Sequence, residues 1–280
     1  MYNNSLDLKE VYIGGGLARG INTYIQNIIS QYIKQYFCIE SLEDNNSINF
    51  NKGWSSNLDG YYSNTYSYSY DLVSWTTVNN KPQSWTLNTG DKVYLRSNST
   101  FWGRDNTETF TFSSTKNYNV SGNMLSLMYG DDFVGQTVLK ETRNYGASGS
   151  PWRSGWGGMF RNSTQLISCE NLIIPTINTG TNNTLSEGPC QLMFCGCSRM
   201  TKSPLLLDSI LTKQCYNGMF LECSNLNQVV CLATNISANG CTSGWLRNVA
   251  GTGTFIKDAN MSSWTLGESG IPSGWTVQNA

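Results

Sequence analysis

Between residues 157 and 249 one short pattern occurs four times, and a period of that length leaves few architectures open. GGMFRNSTQL (157–166), CQLMFCGCSRM (190–200), CYNGMFLECSNL (215–226) and CTSGWLRNV (241–249) align on Met159-Phe160, Met193-Phe194, Met219-Phe220 and Trp245-Leu246. The steps from 159 to 193, to 219 and to 245 are 34, 26 and 26 residues. A short apolar run follows each of the first three: NLIIPTI, SPLLLDS and NQVVCLAT. A unit this short cannot bury its apolar face alone. Stacking each unit on the next buries it, so the pattern predicts a solenoid of turn-and-strand coils.

The same alignment accounts for the cysteines. Cys190, Cys195 and Cys197 taken alone look like part of a thiolate metal site. Cys190, however, matches Cys215 and Cys241, Cys197 matches Cys223, and Cys195 falls opposite Leu221. Residues that recur with the coil are expected to fill equivalent buried positions, as small apolar side chains do. The repeat core is therefore expected at Phe160, Cys190, Phe194, Cys197, Cys215, Phe220, Cys223 and Cys241. Its thiols are expected reduced, with no zinc.

Residues 45–122 read differently. NTYSYSYD sets Tyr66, Tyr68 and Tyr70 on one side against Ser and Thr on the other, the period of a half-buried strand. VSWTTV, QSWTLNTGDKVYLRS and ETFTFSST continue the pattern, with Asn88-Thr89-Gly90-Asp91 as a turn. Short strands at this spacing predict a small antiparallel sandwich or barrel with the alternating aromatics in its core. Tyr61 and Tyr62 are expected on the surface.

In residues 1–44, Leu17, Ile21, Ile25, Ile28, Tyr32 and Tyr36 lie on one face of a helix, widened by Ile29, Ile33 and Phe37. Such a stripe packs on its own domain or on another copy. The seam from Ile21 to Tyr32 keeps coiled-coil spacing for barely two heptads, and these six residues are the candidate association residues. The preceding GGGLARG is a flexible joint: Arg19 and Ile21 break the dinucleotide and P-loop fingerprints respectively. The expected fold is mainly β with an N-terminal helix: an oligomerisation or attachment segment (1–44), a β-sandwich-like domain (45–122), and a connector with repeats (123–280).

Composition narrows the chemistry. The chain has no histidine, which removes Ser-His-Asp and Cys-His catalysis and His-ligated zinc. Charged residues make up 13% with a net charge of −1, and no basic run is present, so nucleic-acid binding is not expected. No apolar run is long enough to span a membrane. The start, MYNNSLDLKEVY, reads as lacking a secretory signal, which suggests use in a cytoplasm or export by assembly into a particle. Tyr129-Gly130-Asp131-Asp132 resembles the metal-binding turn of polymerase palm domains. That role needs a further upstream aspartate, and Asp71 and Asp91 both fall in turns, so the stretch is read as a structural connector. No enzyme activity and no cofactor are expected.

The pattern Met-Phe-x-x-Cys-Ser-x-Leu, with Cys-Tyr just before it, resembles the BspA-like leucine-rich repeats of Bacteroidetes and their phages; KSPLLLDSILTKQCYNGMFLECSNL (202–226) is the nearest copy. GTFIKDANMSSWTLGESGIPSGWTVQNA resembles the coil that closes such arrays. YSYSYDLVSWTTV with LNTGDKVYLR resembles the β-domain upstream of them, and VSGNMLSLMYGDDFVGQT the connector. Ser163 in the cysteine slot and the insertion NTGTNNTLSEG depart from the family. The resemblance implies a virion structural protein of a Bacteroides-type (crAss-like) phage, a head or tail fibre or decoration subunit assembled in the host cytoplasm. It implies a homo-oligomer, trimer before dimer, docked on capsid or tail proteins through the N-terminal segment, with host-surface glycans as a candidate partner. The alternative is a bacterial cell-surface adhesin or glycan-binding module.

Overall fold

The computed structural model describes residues 19–51, 65–79, 81–98, 111–136, 156–174, 188–262 and 264–280. Helix α1 spans Arg19–Tyr32 and is followed by β1 (Phe37–Ser41), β2 (Asn46–Asn51), β3 (Thr65–Ser69), β4 (Thr76–Asn79), β5 (Gln83–Leu87), β6 (Lys92–Ser97), β7 (Thr111–Ser114) and β8 (Tyr118–Asn123). A single helical turn, α2 (Ser126–Tyr129), runs into a 3-10 turn at Gly130–Phe133. Then come β9 (Leu166–Ile174), β10 (Lys202–Leu206), β11 (Gln228–Cys231), β12 (Gly253–Lys257) and β13 (Trp275–Asn279). The chain is mainly β, as expected.

Ten strands form one sheet in the order β13-β12-β11-β10-β9-β8-β1-β6-β3-β4, and β5-β2-β7 form a second. From β8 to β13 neighbours run parallel in chain order. From β8 through β1, β6 and β3 to β4 they run antiparallel. Alternation explains the antiparallel half. Phe37 and Ile39 enter the core opposite Leu95 and Val93, while Cys38 and Glu40 take the other face. Ile48, Phe50, Trp85, Leu87 and Phe112 of the second sheet meet them in the same core, and Phe50 stacks on Phe112 at 4.5 Å.

The middle of the parallel half is apolar on both faces, at residues 172–174, 205–206, 229–230 and 255–256, while β13 is exposed after Trp275. Leu172, Ile174, Leu206, Val229 and Phe255 join the main core. Ile173, Leu205, Val230 and Ile256 form a second cluster with Ile25, Ile28 and Ile29 of α1, with Tyr32 and Ile33 at its margin. The helix thus covers the outer face of its own sheet.

Three expectations change. Ile25 and Ile28, nominated for association, are 0% and 5% exposed within one chain. The apolar face of four neighbouring strands buries their stripe within one chain. Leu17 and the side chain of Ile21 lie outside the described residues. Second, α1 stops at Tyr32, where the Gln35 side chain donates to the Gln31 carbonyl at 2.9 Å, so Tyr36 and Phe37 are not helical. Tyr36 instead bridges to Asn123, and Phe37 opens β1. Third, the segment boundaries do not divide the sheet. β1 falls within 1–44 yet lies between β6 and β8, and the sheet passes residue 122 inside β8 without interruption. Gly122 marks that passage: at φ +88° a Cβ there would stand 2.1 Å from the Tyr36 carbonyl oxygen.

The pattern-bearing segments lie against the parallel strands. Within each, alternate N–H groups close tight turns, such as Met219 to Tyr216 and Leu221 to Gly218. The intervening ones reach the next segment: Phe160 to Met193 at 2.9 Å, Phe194 to Met219 at 2.9 Å and Phe220 to Trp245 at 3.0 Å. Left-handed backbone recurs at Gly188, Leu192 and Gly196, at Gln214, Gly218 and Glu222, and at Gly240, Gly244 and Asn248. One side chain per segment joins an aromatic column. Ring centroids are 5.4 Å apart for Phe112–Phe160, 5.2 Å for Phe160–Phe194 and 5.7 Å for Phe194–Phe220. Trp245, in the methionine slot, continues the column from Phe220 to Trp264.

Of the tyrosines expected in the sandwich core, Tyr66 is buried and Tyr68 packs on the core. Tyr70 lies beyond the end of β3 and is exposed. Tyr61 and Tyr62 lie outside the described residues.

Candidate functional site

The repeat-core residues are all buried, but the cysteine slot proves to be polar. Cys197 and Cys223 each point Sγ at the phenylalanine carbonyl of the preceding segment, Phe160 and Phe194, at 3.0 Å. Ser163, in the same slot, donates to the Phe112 carbonyl at 2.6 Å. The slot therefore takes a small side chain carrying a donor, not merely a small apolar one, and Ser163 serves it as cysteine does. Cys215 and Cys241 share a second recurring position, one residue after left-handed Gln214 and Gly240. Cys190 stands two residues after Gly188, in the place that Tyr216 takes in the next segment, so its expected match with Cys215 and Cys241 is off by one residue.

All nine cysteines are free and buried. Burial pushes the thiols of Cys38 and Cys231 up to about 12, and those of Cys190, Cys197 and Cys215 well above the ordinary value. The thiolate, the reactive form, is thereby disfavoured at neutral pH. Ellman's reagent is expected to leave the folded chain largely unmodified and to titrate all nine thiols after denaturation. Prompt modification of several thiols in the folded protein would contradict this burial. Among the described residues, no three His, Cys, Asp or Glu side chains are grouped to hold a metal ion.

The aspartate pair at 131–132 sits in the 3-10 turn, anchored by buried Leu127, Met128 and Phe133. The Asp131 carboxylate accepts a hydrogen bond from the Tyr36 hydroxyl at 2.8 Å and pairs with Arg96. The Arg96 guanidinium lies 4.0 Å from the centre of the Trp75 ring. Tyr36 packs between Trp75 at 5.0 Å and Phe133 at 4.9 Å. Asp131 thus ties β6, the approach to β1 and the turn together. Asp71 accepts from the Val73 and Ser74 N–H groups at 2.8 Å each, and Asp91 from the Asn88 N–H at 2.8 Å. Each upstream aspartate is occupied in its own turn.

Among the described residues, an arrangement suited to binding lies on the outer face of the sheet, in the corner beside the end of α1. A cleft of about 260 Å³ opens there, bordered on the helix side by Gln31, Tyr32 and Gln35. Its floor is two registered rows across β6, β1, β8 and β9. One is Lys92–Glu40–Asn119–Ser168; the other is Tyr94–Cys38–Ser121–Asn171. The register slips in β9: Asn119 faces Ser168 while Ser121 faces Asn171, leaving an extra residue. Cys169 and Leu172 stay in the core, and Glu170 and Asn171 both line the cleft. Bulges of this kind re-aim side chains and cluster at binding sites.

Charges in and beside the cleft balance. Lys92 Nζ is 3.7 Å from Glu40 Oε1, and Lys202 Nζ is 2.5 Å from Glu170 Oε2. The Tyr94 phenol is raised above its ordinary value, chiefly by burial, so it remains a neutral donor and acceptor. Asn119 Oδ1 is buried without a hydrogen-bond partner. Amides, hydroxyls, two carboxylates and tyrosine rings, all but those at the helix end held on paired strands, can fix the orientation of a polar ligand.

None of the strand residues of this cleft was nominated from the sequence. FCIES, DKVYLRS and KNYNVSGN carry polar residues at alternate positions, but so does any strand with one wet face. Of the nominated residues only Tyr32 borders it. Comparison with known protein families, with characterised proteins and with solved structures gives no match.

Proposed function

We propose that this chain is a non-enzymatic display protein, a fibre or decoration subunit on the head or tail of a Bacteroides-type phage. In this reading residues 123–280 are a connector and a short BspA-like leucine-rich-repeat solenoid. The observation that supports it most is the unbroken ten-stranded sheet, which makes the antiparallel and parallel halves one stiff body. A stiff body suits projection from a particle. In this reading the N-terminal segment (1–44) docks on other virion proteins; Ile25 and Ile28 themselves pack on their own sheet and are not offered for joining copies.

A second reading, a bacterial cell-surface adhesin or glycan-binding module, is favoured by the polar cleft. Both are tested on purified particles with antibodies raised against the chain, together with its native mass by light scattering. The fibre reading expects labelled particles and a native mass that is a multiple of 31.1 kDa. Labelling confined to the bacterial envelope, with a monomeric chain, would replace it with the adhesin reading.

A further inference from the structure

We propose that the cleft between α1 and strands β6, β1, β8 and β9 binds a neutral saccharide. The inference deepens the second reading, a glycan-binding module, and rests on it for its setting, though the binding can be measured alone. Three features of the cleft carry it.

The first is footprint. Neighbouring strands lie about 4.8 Å apart and alternate residues about 7 Å, so two rows across four strands give a floor of roughly 14 by 7 Å. That floor suits a mono- or disaccharide lying flat. The second is charge. Both carboxylates of the lining already have a cationic partner, Glu40 in Lys92 and Glu170 in Lys202, so no lining charge is left over to hold an ionic ligand. The third is the pattern of polar atoms. Carboxylate and amide oxygens of Glu40, Glu170 and Asn171 can accept from sugar hydroxyls, while Lys92 Nζ and the hydroxyls of Tyr94 and Ser168 can donate to sugar oxygens. The rings of Tyr94 and Tyr32 offer apolar surface to sugar C–H groups. The bulge in β9 is what brings two successive residues, Glu170 and Asn171, onto this face.

The test uses the full chain and methyl glycosides of glucose, galactose, mannose and N-acetylglucosamine, followed by saturation-transfer NMR and titration. N-acetylneuraminic acid is the anionic comparison. At least one neutral glycoside is expected to bind. Glu40→Gln and, separately, Asn171→Ala should weaken it about tenfold or more while leaving the thermal midpoint in place. Two substitutions on different strands keep the test decisive if one of them unfolds the protein. Binding to none of the four glycosides, binding unaffected by both substitutions, or binding of the acidic sugar alone overturns the inference. Particles that carry the antibody label while the chain ignores all four glycosides would overturn this inference and leave the fibre reading standing. Glycoside binding without particle labelling would do the reverse.

Discussion

Replacing Phe194 with alanine is expected to lower stability by about 3–5 kcal/mol, the range for deleting a buried aromatic ring. The ring is 0% exposed and lies nearly parallel to both neighbours, 5.2 Å from Phe160 and 5.7 Å from Phe220. Collapse around the void is opposed on three sides. The Phe194 N–H is bonded to Met219, its carbonyl accepts Cys223 Sγ, and Phe160 and Phe220 are held by their own bonds to the next segment. Neighbours that cannot move leave the cavity open, which places the cost in the upper part of the range. Urea unfolding of the variant against the parent measures it directly. Phe194→Leu, which refills much of the volume, should lose clearly less. A loss below about 1 kcal/mol for the alanine variant would mean that the column does not bear on stability.

The second large effect is expected in α1. Ile25→Asp combined with Ile28→Asp should cost more than about 4 kcal/mol, because two carboxylates would be placed in an apolar cluster without partners. The helix should leave the sheet and uncover Ile173, Leu205, Val230 and Ile256. The expected readout is loss of helical circular dichroism, strong binding of a hydrophobic dye and association into larger species. A helix acting as a seam between subunits predicts the opposite: a smaller, well-folded particle that binds no dye. Sizing with light scattering separates the two outcomes in one run.

The two halves of the molecule were unequally legible in sequence. The period from Met159 to Trp245 could be read because each segment repeats the same local problem, so equivalent residues meet equivalent neighbours. Phe160, Phe194 and Phe220 accordingly stack as their alignment implies. The donor role of Cys197 and Cys223 was hidden, since a thiol in an aligned slot looks the same whether it fills space or reaches a carbonyl; Ser163 was the clue. The left-handed positions were also obscured. Each recurring slot holds glycine in at least one segment, but Leu192, Gln214, Glu222 and Asn248 adopt the conformation without it.

Sequence alone determined the β character, the repeating segments and an amphipathic helix, because each depends on periodicity within a short stretch of chain. Tertiary structure alone decided what the helix covers: a stripe of isoleucines states that a partner exists but not which one, and the nearest large apolar face was the outer side of β9–β12. It also decided the cleft. Glu40, Lys92, Asn119 and Glu170 are far apart in the chain and unremarkable singly, and only strand order, register and the bulge in β9 bring them onto one floor.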